Sequence, residues 1–108
     1  MTTTTDEQTF TPHIGKRCII RTYASGVHFG TLTAQSARQV ELTNARRLWR
    51  WFALDGISLS EVAANGIDAS KSRICTTLPA MTILDALEII PCSDEAAASI
   101  EAAGVYKP

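Results

Sequence analysis

Residues Asn44 to Trp51 read NARRLWRW and hold the densest chemistry in the chain, with Arg46, Arg47 and Arg50 set among the two tryptophans, Trp49 and Trp51. A guanidinium binds phosphate or carboxylate through paired hydrogen bonds and stacks on flat rings. Tryptophan offers a broad face for stacking and cation–π contact. Such a segment is either a ligand or interface surface, or a strand whose tryptophans fill the core while its arginines stay wet. Tyr23 and Phe29 are further aromatic candidates, with Phe29 and one tryptophan also claimed by the core, and Arg21 is a further cation. Stacking a base on an aromatic ring contributes about 1–3 kcal/mol, and neighbouring arginines neutralise phosphates. The candidate ligand-binding set is therefore Arg21, Tyr23, His28, Asn44, Arg46, Arg47, Trp49, Arg50 and Trp51. Asn44 reads either as a turn residue tolerant of left-handed backbone or as a hydrogen-bonding reader of the ligand.

The means for catalysis are thin. A nucleophilic Ser or Cys needs an activating base, usually a histidine oriented by an acid. The only histidines are His13, beside a polar tail, and His28, which reads as a partly exposed structural residue on a strand. Paired carboxylates at the spacing of an acid–base pair reduce to Asp85 and Glu88, which within one strand would point to opposite faces. No Walker loop, G-x-G-x-x-G or H-E-x-x-H is present, so a non-enzymatic protein without cofactor is expected. Cys18, Cys75 and Cys92 are widely spaced, with no metal-ligand pattern, and read as reduced thiols, mostly buried.

The elements that must carry these residues read as one β-rich domain over residues 14–108, after a mobile polar tail at residues 1–13. Strands are expected over Cys18–Tyr23, Val27–Ala34, Arg38–Thr43, Arg46–Phe52, Ser72–Leu78 and Met81–Ile90, the links being rich in turn residues. Gly30, inside the second of these, predicts a bend or a close backbone approach. Alternation through the fourth puts Arg46, Leu48 and Arg50 on one face and Arg47, Trp49 and Trp51 on the other. Ser58-Leu59-Ser60-Glu61 has the capping-box pattern and opens a short inserted helix that ends at Gly66. Ser93 caps a C-terminal helix through Ala103, with Gly104 ending it. The expected fold class is α+β, mainly β: a small bent antiparallel sheet or SH3/Sm-like barrel of five to six strands with these two helices.

Apolar residues make up 45% of the 108-residue chain and charged residues 19%, both ordinary for a globular protein. No apolar run approaches the ~20 residues of a bilayer span. The start, MTTTTDEQTF, has neither the basic nor the apolar region of a signal peptide, so the cytoplasm is the expected compartment. The net charge of −1 conceals an asymmetry. From Lys16 to Arg50 the bases Lys16, Arg17, Arg21, Arg38, Arg46, Arg47 and Arg50 face only Glu41, whereas acids outnumber bases from Trp51 onward. This suits an anion-binding face, head-to-tail subunit contacts or internal compensation.

From Gly15 to about Ser93 the chain resembles small uncharacterised proteins of tailed bacteriophages. The residues that carry this are Ser25-Gly26-Val27-His28-Phe29-Gly30, NARRLWRW, the Leu78-Pro79 step and Pro91-Cys92-Ser93. The resemblance implies a viral origin. A looser likeness is to Sm-like and SH3-like barrels, carried by Phe29, Gly30 and Leu32, and it implies strand edges paired between subunits into rings.

Three functions follow as expectations. The first is a non-enzymatic, homo-oligomeric bacteriophage accessory protein that sequesters a small anionic ligand, such as a nucleotide signal of host anti-phage defence. The second is a virion-associated or protein-interaction module with the Arg/Trp strand as its oligomer interface. The third is single-stranded nucleic-acid binding, against which the pI of 6.1 counts.

Overall fold

The computed structural model describes residues 11–108. The first ten residues of the expected tail lie outside the described residues. The fold is α+β and mainly β, as the alternation of the sequence requires. Its elements are β1 (Arg17–Thr22), β2 (Val27–Ser36), β3 (Gln39–Arg50), α1 (Leu59–Asn65), β4 (Arg73–Ile74), β5 (Leu78–Ile83), β6 (Ala86–Pro91) and α2 (Asp94–Ala102).

All pairings in the sheet are antiparallel, in the order β4-β3-β2-β1-β6, and β5 joins β3 beside β4. β1 and β3 run in the same sense, since each is antiparallel to β2. β5 pairs with β3 and β6 pairs with β1, so β5 and β6 continue in one direction and Leu84-Asp85 is a kink in one bent run. The kink is tied to both sides: the Ala86 amide donates to the Arg38 carbonyl (3.0 Å), and the Tyr23 amide donates to the Asp85 carbonyl (3.3 Å). No ladder joins β5 to β6, so the sheet is strongly bent but unclosed.

Bending gives the sheet two buried faces. The inner face packs Cys18, Ile20, Leu32, Val40, Leu42, Ala45 and Ile83 together. The other face is covered by the helices, and there Ile19, Phe29, Leu48 and Ile74 meet Leu59, Val62, Ala97 and Ile100. Each helix is too short to persist alone and depends on this packing.

Three boundaries differ from the expectation. The strands expected at Arg38–Thr43 and Arg46–Phe52 are one strand, β3, because Asn44-Ala45 is a bulge rather than a link. Thr31 pairs with Thr43 and Phe29 with Arg46, so β3 takes three steps where β2 takes two. Asn44 accommodates the extra residue in left-handed backbone, φ 51. Opposite it, a Cβ on Gly30 would stand 3.0 Å from the Thr43 carbonyl oxygen and 3.1 Å from the Leu42 Cβ. The close approach expected at Gly30 is therefore the bulge itself. The strand expected at Ser72–Leu78 shortens to the two residues of β4, and the long strand expected at Met81–Ile90 breaks at the kink.

The capping box of α1 is present, with the Glu61 carboxylate accepting from the Ser58 amide and hydroxyl, both at 2.8 Å. These bonds and one from the Ile57 amide hold the Glu61 carboxyl below its usual range. α2 ends differently from expectation. Its last cap residue, Ala103, is extended (φ −64, ψ 132), and Gly104 does not close the helix in left-handed backbone. A side chain from β3 closes it instead.

Candidate functional site

That side chain is Arg46. It is only 3% exposed, and its Nε donates to the Cys75 carbonyl (2.9 Å) while Nη1 donates to the carbonyls of Ile100 (2.8 Å) and Ala103 (2.6 Å). The last carbonyls of a helix lack internal partners and carry partial negative charge, so a cation there satisfies both needs. Burial pulls the guanidinium below its usual pKa range, and the Cys75 thiol opposes this. Arg46 thus joins β3, β4 and α2 rather than facing a ligand.

Its neighbour Arg47 stands on the opposite face. Arg47 is exposed and makes no ion pair or side-chain hydrogen bond among the described residues. It borders two adjoining recesses. One, of about 450 Å³, lies between the β1–β2 turn and Trp49. The other, of about 280 Å³, lies between that turn and the β5 kink, with His28, Met81 and Asp85 in its wall. Ser25 and Arg47 line both.

His28, expected to be partly exposed, is fully buried. The β1–β2 turn surrounds its ring: the Thr22 hydroxyl donates to the Gly26 carbonyl (2.7 Å), the Ser25 amide donates to Thr22 Oγ1 (3.0 Å), and Ser25 Oγ lies 3.1 Å from both Thr22 Oγ1 and His28 Nε2. The other ring nitrogen, Nδ1, is buried and has no partner. Burial, and next the Arg47 charge, lower the pKa of His28, while its Ser25 contact and Asp85 oppose the shift. Asp85 does not orient the ring, and its carboxylate accepts from the Ala24 amide at 2.9 Å.

The structure gathers His28, Arg47 and Trp49 at the paired recess and places Tyr23, 84% exposed, at the start of the same turn. The other candidates go elsewhere. Arg21 is paired with Glu88 at 2.7 Å, and Asn44 occupies the bulge. Arg50 lies over the Phe52 ring, 5.3 Å from its centroid. Trp51 parts from Trp49, because β3 ends at Arg50 and the chain turns Trp51 onto the helix-side core. Phe29 is core, at 1% exposure. Sequence reasoning missed Ser25 and Asp85 in the recess, as well as Arg73 and Tyr106 beside Trp49. Ser25 had a usable signal, a turn serine three residues before a histidine. The others arrive from distant parts of the chain and had none.

Burial pushes the Cys18 thiol up to about 11 and the Cys92 thiol up to about 12. Among the described residues no cluster of His, Cys, Asp or Glu could hold a metal ion, and no helix is long and apolar enough to cross a membrane.

The chain belongs to a family described as a domain of unknown function, DUF6948, whose model matches residues 15–100. That span runs from the turn before β1 into α2 and includes both arginines and the recess. Neither the curated proteins nor the solved structures contain a match to the chain.

Proposed function

We propose that this domain binds a small anion bearing a flat ring, a nucleotide by class, in the paired recess around Arg47, and holds it without converting it. The single observation that carries this reading is an exposed arginine with no ion pair, set between two recesses beside Trp49. Guanidinium suits phosphate, and the Trp49 ring suits a base. No carboxylate orients the His28 ring, since Asp85 accepts from the Ala24 amide instead, and this supports a non-enzymatic role. The resemblance carried by Ser25–Gly30 and NARRLWRW supports a bacteriophage accessory protein in the host cytoplasm. There, capture of a nucleotide signal of host defence needs only affinity and copy number.

Calorimetry with a panel of cyclic and linear nucleotides tests the proposal. At least one should bind, and Arg47→Ala should weaken it by about tenfold or more, ~1.4 kcal/mol per factor of ten. The unfolding midpoint of this variant should stay put. Absence of heat with every nucleotide, at protein concentrations well above micromolar, rejects the proposal.

A second reading, an interface between copies of this chain, is favoured by Leu54 and Ile57, 61% and 91% exposed in the loop before α1. Native mass spectrometry separates the two readings, since it reports subunit number and retained ligand together.

A further inference from the structure

Beyond Arg47, the end of β3, β4 and the C-terminal segment bring together cations and rings that are distant in sequence. Arg50 is the register partner of Arg73. The Arg73 guanidinium lies 5.4 Å from the Trp49 ring centroid and 4.7 Å from that of Tyr106. Tyr106 is held there by its amide, which donates to the Ile74 carbonyl (3.0 Å), so Lys107 borders the same surface. The Phe52 amide donates to Ser72 Oγ (3.0 Å), which places Lys71 at the other border. All three rings are open to solvent, Trp49 at 63%, Tyr106 at 44% and Phe52 at 38%.

These cations differ from those of β1. The three ion pairs among the described residues are made by Arg17 and Arg21, with Asp94, Glu101 and Glu88. Arg50, Lys71, Arg73 and Lys107 make none. Among the acids, Glu61 caps α1 and Asp85 accepts from Ala24, whereas Asp68 lies at this end, its amide donating to the Phe52 carbonyl (2.9 Å) and its carboxylate facing the Lys71 charge. A net charge of −1 therefore coexists with one end of the molecule where cations outnumber acids.

Alternating cations and exposed rings suit a polyanion whose flat bases are free to stack. A duplex keeps its base faces stacked inside, so the single-stranded form fits. A protein partner that buried this surface would have to pair each desolvated cation, whereas a polyanion supplies a phosphate for each along its length. We propose that this surface binds single-stranded nucleic acid, with bases stacked on Trp49, Tyr106 and Phe52 and phosphates held by the flanking cations. Sequence preference is weak, since stacking and backbone contacts read no base edges.

Fluorescence anisotropy with labelled oligo(dT) and oligo(rU) of about 12 nucleotides, within the usual ~4–16 per site, tests this. Binding should weaken with salt, log affinity falling against log salt with a slope of about −2 to −3. That corresponds to three or four phosphates at ~0.7 each. The double variant Trp49→Ala/Tyr106→Ala should weaken binding by about tenfold or more. Arg38→Ala, an exposed cation at the far end of β3, should leave it unchanged. Arg47→Ala should weaken mononucleotide capture by about tenfold or more while removing no more than one phosphate contact here, so either proposal can fail without the other. No binding at low salt with tens of micromolar protein overturns the inference. So does equal loss with Arg38→Ala, or binding that ignores salt.

Discussion

Arg46 and Arg47 are adjacent and chemically identical, yet they occupy opposite worlds. On the helix side, Arg46 is sealed in, and three carbonyls from β4 and α2 take its protons. On the face it shares with Ile20 and His28, past the end of the inner cluster, Arg47 stands exposed between two recesses with no ion pair among the described residues. One holds the fold together and the other is free to hold something else. What divides them is strand parity, and parity here is set by the bulge at Asn44-Ala45. Val40 and Leu42 face the inner core, and an unbroken strand would send Arg46 and Leu48 the same way. The extra residue sends them to the helices and leaves Arg47 and Trp49 on the face of Ile20 and Ala45, exposed past the end of that core.

The largest expected effect tests the inner half of this contrast. Arg46→Met keeps most of the stem but strips the donors from the carbonyls of Cys75, Ile100 and Ala103. Each buried group left without a partner costs about 1–3 kcal/mol, so a loss of roughly 3 kcal/mol is expected. Urea unfolding measures it, and hydrogen exchange should show α2 and the Tyr106 amide opening first. If stability barely changes, Arg46 is not the clasp described and its contrast with Arg47 collapses.

A smaller effect probes the bulge. Gly30→Ala puts a methyl against the Thr43 carbonyl, the Leu42 Cβ and the Ala45 Cα, at 3.0, 3.1 and 3.3 Å. Overpacking of this kind costs about 1–3 kcal/mol. Because the strain falls on the residues that set parity, nucleotide capture at Arg47 should weaken along with stability. An unchanged unfolding midpoint would mean that the bulge yields easily and does not pin the register.

The smallest effect sharpens the outer half. His28 is buried neutral, and its pKa is lower in the folded chain than in the unfolded one. The unfolded state then binds protons more readily, so this residue's contribution is present above about pH 6.5 and is lost as pH falls toward the folded value. Unfolding midpoints at two pH values across that window should diverge less in His28→Gln than in the parent protein. Equal divergence would assign the acid sensitivity to carboxylates such as Glu61, whose folded pKa is also lowered.

Much of this was legible in the chain. The β-rich class, the Ser58–Glu61 capping box, the Ser93 cap and the tight approach at Gly30 follow from local chemistry. Local backbone energetics and side-chain spacing decide such features. The site was legible only in part. NARRLWRW pointed to the strand that borders the recess, but it merged residues that the fold separates: Arg46 and Trp51 turn to the helix side, while Arg47 and Trp49 stay exposed on the other face. The partners of Trp49 were invisible, because Arg73 and Tyr106 reach it through β4 and the C-terminal segment.

By itself, then, the sequence determined that this strand alternates and that each of its faces carries arginine. It also determined that histidine is confined to His13 and His28, since residue types and periods are local properties. Only the tertiary structure decided which arginine is the clasp and which is the open charge. A single left-handed residue at Asn44, tolerated because Gly30 has no side chain, shifts the phase of everything after it. Whether that shift is favourable depends on α2 presenting carbonyls to receive Arg46, from more than fifty residues downstream.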